Sequence, residues 1–214
     1  MLKQTVIRSI GWVGCASIII YGINAFTKIL LARLLFPEDF GLFAIALILI
    51  NFLTMFIGLG IGDVIIVSKN DFDKNANTGL VLTFVLGILL FLISFFSARA
   101  IATFFGNPTL ILLVRILSIM FLFDSVTVIF RSILMRNLNF IRKSSIEIVS
   151  VLFYGIVVVG LAFAGYGVWS IVWASLIQHF LMMILFFAFC PWKPSFSFDF
   201  KTAKDLFHLG SQFF

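Results

Sequence analysis

Polar side chains stranded inside long apolar runs are the residues here with the clearest capacity for chemistry. Each costs free energy to hold in hydrocarbon and needs a partner, an aqueous cavity or a ligand. Six stand out: Asn24, Lys28, Arg115, Asp124, Gln178 and His179. Asn24 and Lys28 are four apart, so on a helix they share a face and could present an amide and a cation to a cavity. The alternative for Lys28 is to snorkel to the outer headgroups. Arg115 offers a planar fork suited to anionic oxygens such as those of a phosphate or carboxylate, or else to a structural pair with a neighbouring helix. Asp124 lies nine positions on, on the opposite face of a straight helix, so the two cannot satisfy each other. It is a candidate coupling-ion or proton site, with a helix–helix salt bridge as the structural reading. Gln178 and His179 sit near the middle of the last apolar run, as candidates for contacts to a polar ligand or for proton coupling. A neutral histidine bonded to a neighbouring helix is the competing expectation.

Other chemistries find little support. Only Cys15 and Cys190 are present, with no metal-ligand spacing and no redox pair, so no metal, cofactor or disulfide is expected. Asn51, Thr54, Gly58 and Gly62 form a stripe of small and polar residues, which reads as close helix packing, with a cavity surface as the lesser reading. Gly58 to Gly62 is not a phosphate loop, since no strand precedes it and no Lys-Ser or Lys-Thr follows. Asp63 reads as an interface residue. Acidic residues are scattered and the outer connections short, which argues against a membrane enzyme with a catalytic loop; no catalytic residue is assigned.

The elements that position these residues must be lipid-soluble. Apolar residues make up 62% of 214 positions and charged residues 11%, far from what a soluble domain needs. A bilayer core of about 30 Å needs about 20 apolar helical residues per crossing. Six stretches qualify, at about 10–35, 40–67, 79–96, 109–130, 146–164 and 168–189. The first is too long for a signal-peptide core and lacks a convincing cleavage site. Ala98 to Phe105 reads as a short surface segment. Asn107-Pro108 opens the fourth helix, and Ser144-Ser145-Ile146-Glu147 reads as a capping box for the fifth. The expectation is an all-α integral membrane protein with a six-helix lobe over 1–190, then a cytoplasmic linker and the start of a truncated seventh helix over 191–214.

Eleven of the fifteen basic residues fall on one side of this topology: Lys3, Arg8, Lys69, Lys74, Arg131, Arg136, Arg142, Lys143, Lys193, Lys201 and Lys204. That side is expected to be cytoplasmic, with both termini inside. This accounts for the net charge of +6 without nucleic acid, and it brings anionic lipid headgroups to the basic fourth loop. Trp12, Trp169 and Trp192 are expected as interfacial anchors, and Trp173 as a packing residue that could also stack on a ligand.

Leu31-Ala32-Arg33-Leu34-Leu35-Phe36-Pro37-Glu38-Asp39-Phe40-Gly41 resembles the first-loop signature of Wzx-type polysaccharide flippases, in the superfamily that also holds the MATE exporters. Gly58-Leu59-Gly60, Arg136-Asn137-Leu138-Asn139-Phe140 and Gly165-Tyr166-Gly167-Val168-Trp169-Ser170 extend the resemblance in order along the chain. It implies two six-helix lobes around a cavity, moving an undecaprenyl-pyrophosphate-linked oligosaccharide across a bacterial inner membrane by alternating access. The implied partners are that lipid-linked oligosaccharide, a missing carboxy-terminal lobe, membrane lipids, and polysaccharide polymerase and chain-length proteins. On this reading the chain is an amino-terminal half, a fragment of the transporter. A drug or other lipid exporter, a membrane enzyme of polysaccharide assembly and a purely structural lobe are the competing readings.

Overall fold

The computed structural model describes residues 2–58, 60–67, 71–195 and 197–210, with the side chains of 2–10, 208 and 210 excepted. Lys69, Leu59 and Ser211 to Phe214 therefore lie outside the described residues, as do the side chains of Lys3 and Arg8. Nine helices make up the described chain: α1 (Leu2–Leu34), α2 (Pro37–Gly58), α3 (Ile61–Val67), α4 (Phe72–Phe104), α5 (Thr109–Leu117), α6 (Met120–Arg136), α7 (Phe140–Phe163), α8 (Val168–Phe189) and α9 (Phe200–Gly210). They supply six segments long and apolar enough to cross a membrane: Gly11–Leu34, Pro37–Val67, Phe72–Phe104, Thr109–Arg136, Phe140–Phe163 and Val168–Phe189. Large apolar side chains such as Ile18, Tyr21, Phe26, Ile48, Phe96, Ile156 and Phe163 face outward. A bilayer is the solvent in which that surface is stable.

Helix α6 is the hub, packing against α2, α3, α4, α7 and α8, whereas α1 packs chiefly against α7. The approach of α4 to α6 is set by Gly87, where an added Cβ would stand 2.7 Å from the Ser125 Cβ and 2.8 Å from the Phe121 carbonyl oxygen. Buried hydroxyls turn back onto their own helices: Thr83 Oγ1 donates to Gly79 O (3.0 Å), Thr127 Oγ1 to Phe123 O (2.9 Å) and Ser150 Oγ to Ile146 O (2.9 Å). Such bonds keep polar atoms satisfied where no water is available.

The helix ends differ from the sequence reading at several points, α4 already beginning at Phe72. Ala98 to Phe104 is not a separate surface segment but the last turns of α4, with Ala98 and Ala102 buried in the core; small residues there let neighbouring helices close over it. The fifth spanning helix starts at Phe140, capped by Asn139, whose side chain accepts from Arg142 N (3.3 Å). The Ser144–Glu147 string thus lies inside the helix, where Ser144 is buried and Glu147 binds cations. Two apolar runs are also broken. Gly60, at φ 72°, separates α2 from α3, and at Ser118-Ile119 three-residue bonds such as Phe121 N to Ser118 O (3.1 Å) separate α5 from α6. After the first break Gly62 lies against Ser132 of α6, so the small-residue stripe packs as expected at Gly58 and Gly62 while Asn51 faces outward.

Residues 191–195 and 197–199 form a strap across the start of α4. Trp192 is buried rather than interfacial, its Nε1 donating to Asp73 Oδ1 (3.2 Å) and its ring against Phe130. Ser195 N donates to Asn77 Oδ1 (2.8 Å), and Lys74 pairs with Asp199 (2.8 Å). Asp199 also caps α9, accepting from Thr202 N (2.8 Å). The Lys74 ammonium holds the Asp199 carboxyl well below its ordinary value of 3.8, at about 2. A depressed pKa means the charged form is favoured when docked, so its contribution is full above about pH 4 and is lost as the pH falls through about 2.

Two outcomes follow from this packing. Gly87→Val lowers thermal stability in detergent by about 1–3 kcal/mol through overpacking, whereas Gly160→Ala, with open space around its Cβ position, is neutral or stabilising by up to about 1 kcal/mol. Asp199→Asn at neutral pH lowers the protection of amides over residues 195–203, relative to their intrinsic exchange rates, by about twofold to fivefold, and acidifying the unsubstituted chain from pH 4 toward 2 reproduces that loss of protection once the pH dependence of intrinsic exchange is divided out.

Candidate functional site

The polar candidates occupy three places. At the centre, α6 and α8 bring Asp124 and His179 together, with Oδ1 and Nδ1 2.6 Å apart. Their side chains are 21% and 27% exposed, so the pair is half-buried. The rings of Phe123 and Phe180, one residue along each helix, meet at 5.3 Å and cover the pair on that flank. Asp124 therefore has its partner on another helix, as its position inside an apolar run demands. The contact serves two charge states, since a neutral imidazole can donate its Nδ1 proton to the carboxylate and an imidazolium can form the ion pair. Gln178 lies half-buried beside His179 on α8.

Arg115 on α5 turns toward α4. Its Nε donates to Phe95 O (3.4 Å), and its guanidinium carbon stands 4.4 Å over the Phe95 ring. The partner is thus a helix carbonyl and an aromatic face, with no carboxylate involved, so the guanidinium keeps its positive charge uncancelled. Among the described residues its Nη atoms have no hydrogen-bond partner.

Asn24 and Lys28 stand on α1, with Asn24 half-buried and Lys28 exposed. Among the described residues neither touches Asp124, His179 or Arg115, and Lys28 has no ion-pair partner. Beside them α1 and α7 enclose an apolar groove of about 670 Å³, lined by Phe26, Leu30, Ile156, Val159 and Phe163 among others. Trp173 is exposed on α8, and Trp169 packs on the α2–α5 core.

A fourth group escaped the sequence reading. Glu147 of α7 accepts from Arg131 of α6 and from Lys143 (3.0 Å), while Arg142 Nη1 donates to Phe189 O (3.0 Å) and Arg136 Nη1 to Ile65 O (3.2 Å). Arg136 also lies 4.4 Å over the Phe72 ring. These cations cover the carboxyl ends of α3 and α8, where helix dipoles favour positive charge. The signal available in the sequence is a single carboxylate amid four cations. No group of three or more His, Cys, Asp or Glu able to hold a metal ion occurs among the described residues.

A bundle of apolar spans whose polar groups pair between helices defines a multi-pass membrane protein. The chain belongs to the polysaccharide biosynthesis protein family, whose model it matches over residues 30–214. It is 27% identical over 209 residues to the succinoglycan biosynthesis transport protein ExoT of Rhizobium meliloti (strain 1021), covering 95% of this chain and 41% of that one. It is 30% identical over 163 residues to the teichuronic acid biosynthesis protein TuaB of Bacillus subtilis (strain 168), covering 75% and 34%. With the lipopolysaccharide biosynthesis protein WzxC of Escherichia coli (strain K12) it shares 28% over 151 residues, covering 71% and 31%. The chain thus spans at most about two fifths of the length of these relatives. No solved structure matches it significantly.

The pairing makes a direct prediction. A double-mutant cycle of Asp124→Asn and His179→Gln gives a coupling free energy of about 0.5–3 kcal/mol in thermal unfolding, whereas Asp124→Asn with Arg115→Gln, which share no contact, is additive within about 0.5 kcal/mol.

Proposed function

We propose that the chain forms one lobe of a transporter that moves a lipid-linked oligosaccharide across the bacterial inner membrane by alternating access, acting with a second lobe and without catalysis of its own. The observation that carries this reading is the match along 95% of the chain to a protein named for transport in succinoglycan biosynthesis. Three features of the site support it. An uncancelled cation at Arg115 and a second at Lys28 suit a pyrophosphate or an acidic sugar. The apolar groove between α1 and α7 suits a hydrocarbon tail. The Asp124–His179 contact ties the hub helix to α8, so that the two spans move together as the lobe rocks. The basic residues at one end favour cytoplasmic termini by the positive-inside rule. Polymerase and chain-length proteins would receive the product on the outer side.

Transport leaves the glycan unchanged, whereas an enzyme alters its length or linkage. In cells lacking the full-length protein, unaltered lipid-linked repeat units accumulate on the inner leaflet; a change in glycan length or linkage instead overturns the reading. Lys28→Ala or Arg115→Ala in the full-length protein lowers surface polysaccharide while expression holds, and normal polysaccharide in both variants removes them from the site.

A further inference from the structure

We propose that α9 lies in the headgroup layer of the membrane and binds anionic lipid. The helix is amphipathic beyond what the bundle covers. Ala203 and Leu206 are buried against α3 and α4. Phe200 and Phe207, seven apart and so on one strip of the helix, remain 79% and 53% exposed. Lys204 lies one turn from Phe200, beside that strip, and Lys201 follows it round the helix; both are exposed, while the exposed Asp205 falls on the side away from the two rings. Phe198, ahead of the helix, is half exposed.

Position as well as composition points to lipid. At about 1.5 Å per residue the 33 residues of α4 run well past the hydrocarbon thickness, so its first turns stand at headgroup depth. The strap ties α9 to those turns through Lys74–Asp199 and through Asp199 N to Thr78 Oγ1 (3.4 Å). A helix held there with two bare phenyl rings flanked by lysines has the pattern of an in-plane membrane helix, its rings in the acyl boundary and its cations among headgroups. Charge complementarity selects anionic headgroups, since the cations of α9 have no acidic partner among the described residues and Arg136 and Arg142 add positive charge at the same end.

The test uses the full chain with Cys15 and Cys190 replaced by alanine and a nitroxide placed at Phe207→Cys or Asp205→Cys, in phosphatidylcholine vesicles with or without phosphatidylglycerol. The label at 207 relaxes with dissolved oxygen in preference to a water-soluble nickel chelate, and the label at 205 shows the reverse. Phosphatidylglycerol strengthens the preference at 207, and Lys201→Gln with Lys204→Gln removes that gain, each lysine shifting the equilibrium about fivefold. Equal nickel access at both positions overturns the proposal, as does shielding of 207 from both reagents, which marks a protein neighbour. No response to phosphatidylglycerol, or one that survives loss of both lysines, overturns it equally.

Discussion

Hydrocarbon offers no hydrogen-bond partners, and this constraint organises the structure. Backbone groups are satisfied within helices, the buried hydroxyls of Thr83, Thr127 and Ser150 bond to carbonyls a turn away, and each charged side chain among the spans either reaches another element or stays exposed. What holds the helices to one another is close packing, so glycine and serine appear where α4 meets α6 and where α3 meets α6. Asp124 and Arg115 follow the same logic with different solutions. Asp124 meets a titratable partner across α6 and α8, and Arg115 meets a carbonyl and a ring on α4.

The two solutions differ in what becomes of the charge. A carboxylate and an imidazole meet where the hub helix touches α8. A guanidinium on a carbonyl and a phenyl face is held in place without losing its charge, which suits attraction of an anion. Lys28 and Asn24 sit apart on α1 and would join such a site only through elements or ligands outside the described contacts.

Much of this organisation is legible in the residues. Six apolar runs announce six crossings because lipid tolerates little else, and Asp124 and His179 each require a partner on physical grounds. Their pairing is not legible, because fifty-five positions separate them and only the packing of α6 on α8 brings them together. The breaks at Gly60 and Ser118 are hidden by unbroken apolarity on either side. Glu147 reads as a cap from its neighbours, yet its Arg131 partner sixteen positions earlier decides its role. The strap is the least readable element, since Trp192, Ser195 and Asp199 dock on Asp73, Asn77, Thr78 and Lys74, more than a hundred positions away.

The placement of α1 against α7 bears on how the lobe is built during synthesis. Thr27 of α1 meets Gly155 of α7, and a ribosome adding about 5–20 residues per second needs on the order of ten seconds to cover that distance. Through that interval the first helix stands in lipid with its eventual neighbour not yet made. Its own apolar surface must therefore hold it across the bilayer, with Asn24 and Lys28 tolerated on it. The late arrival of α7 is then the step that converts a solitary anchor into a wall of the bundle.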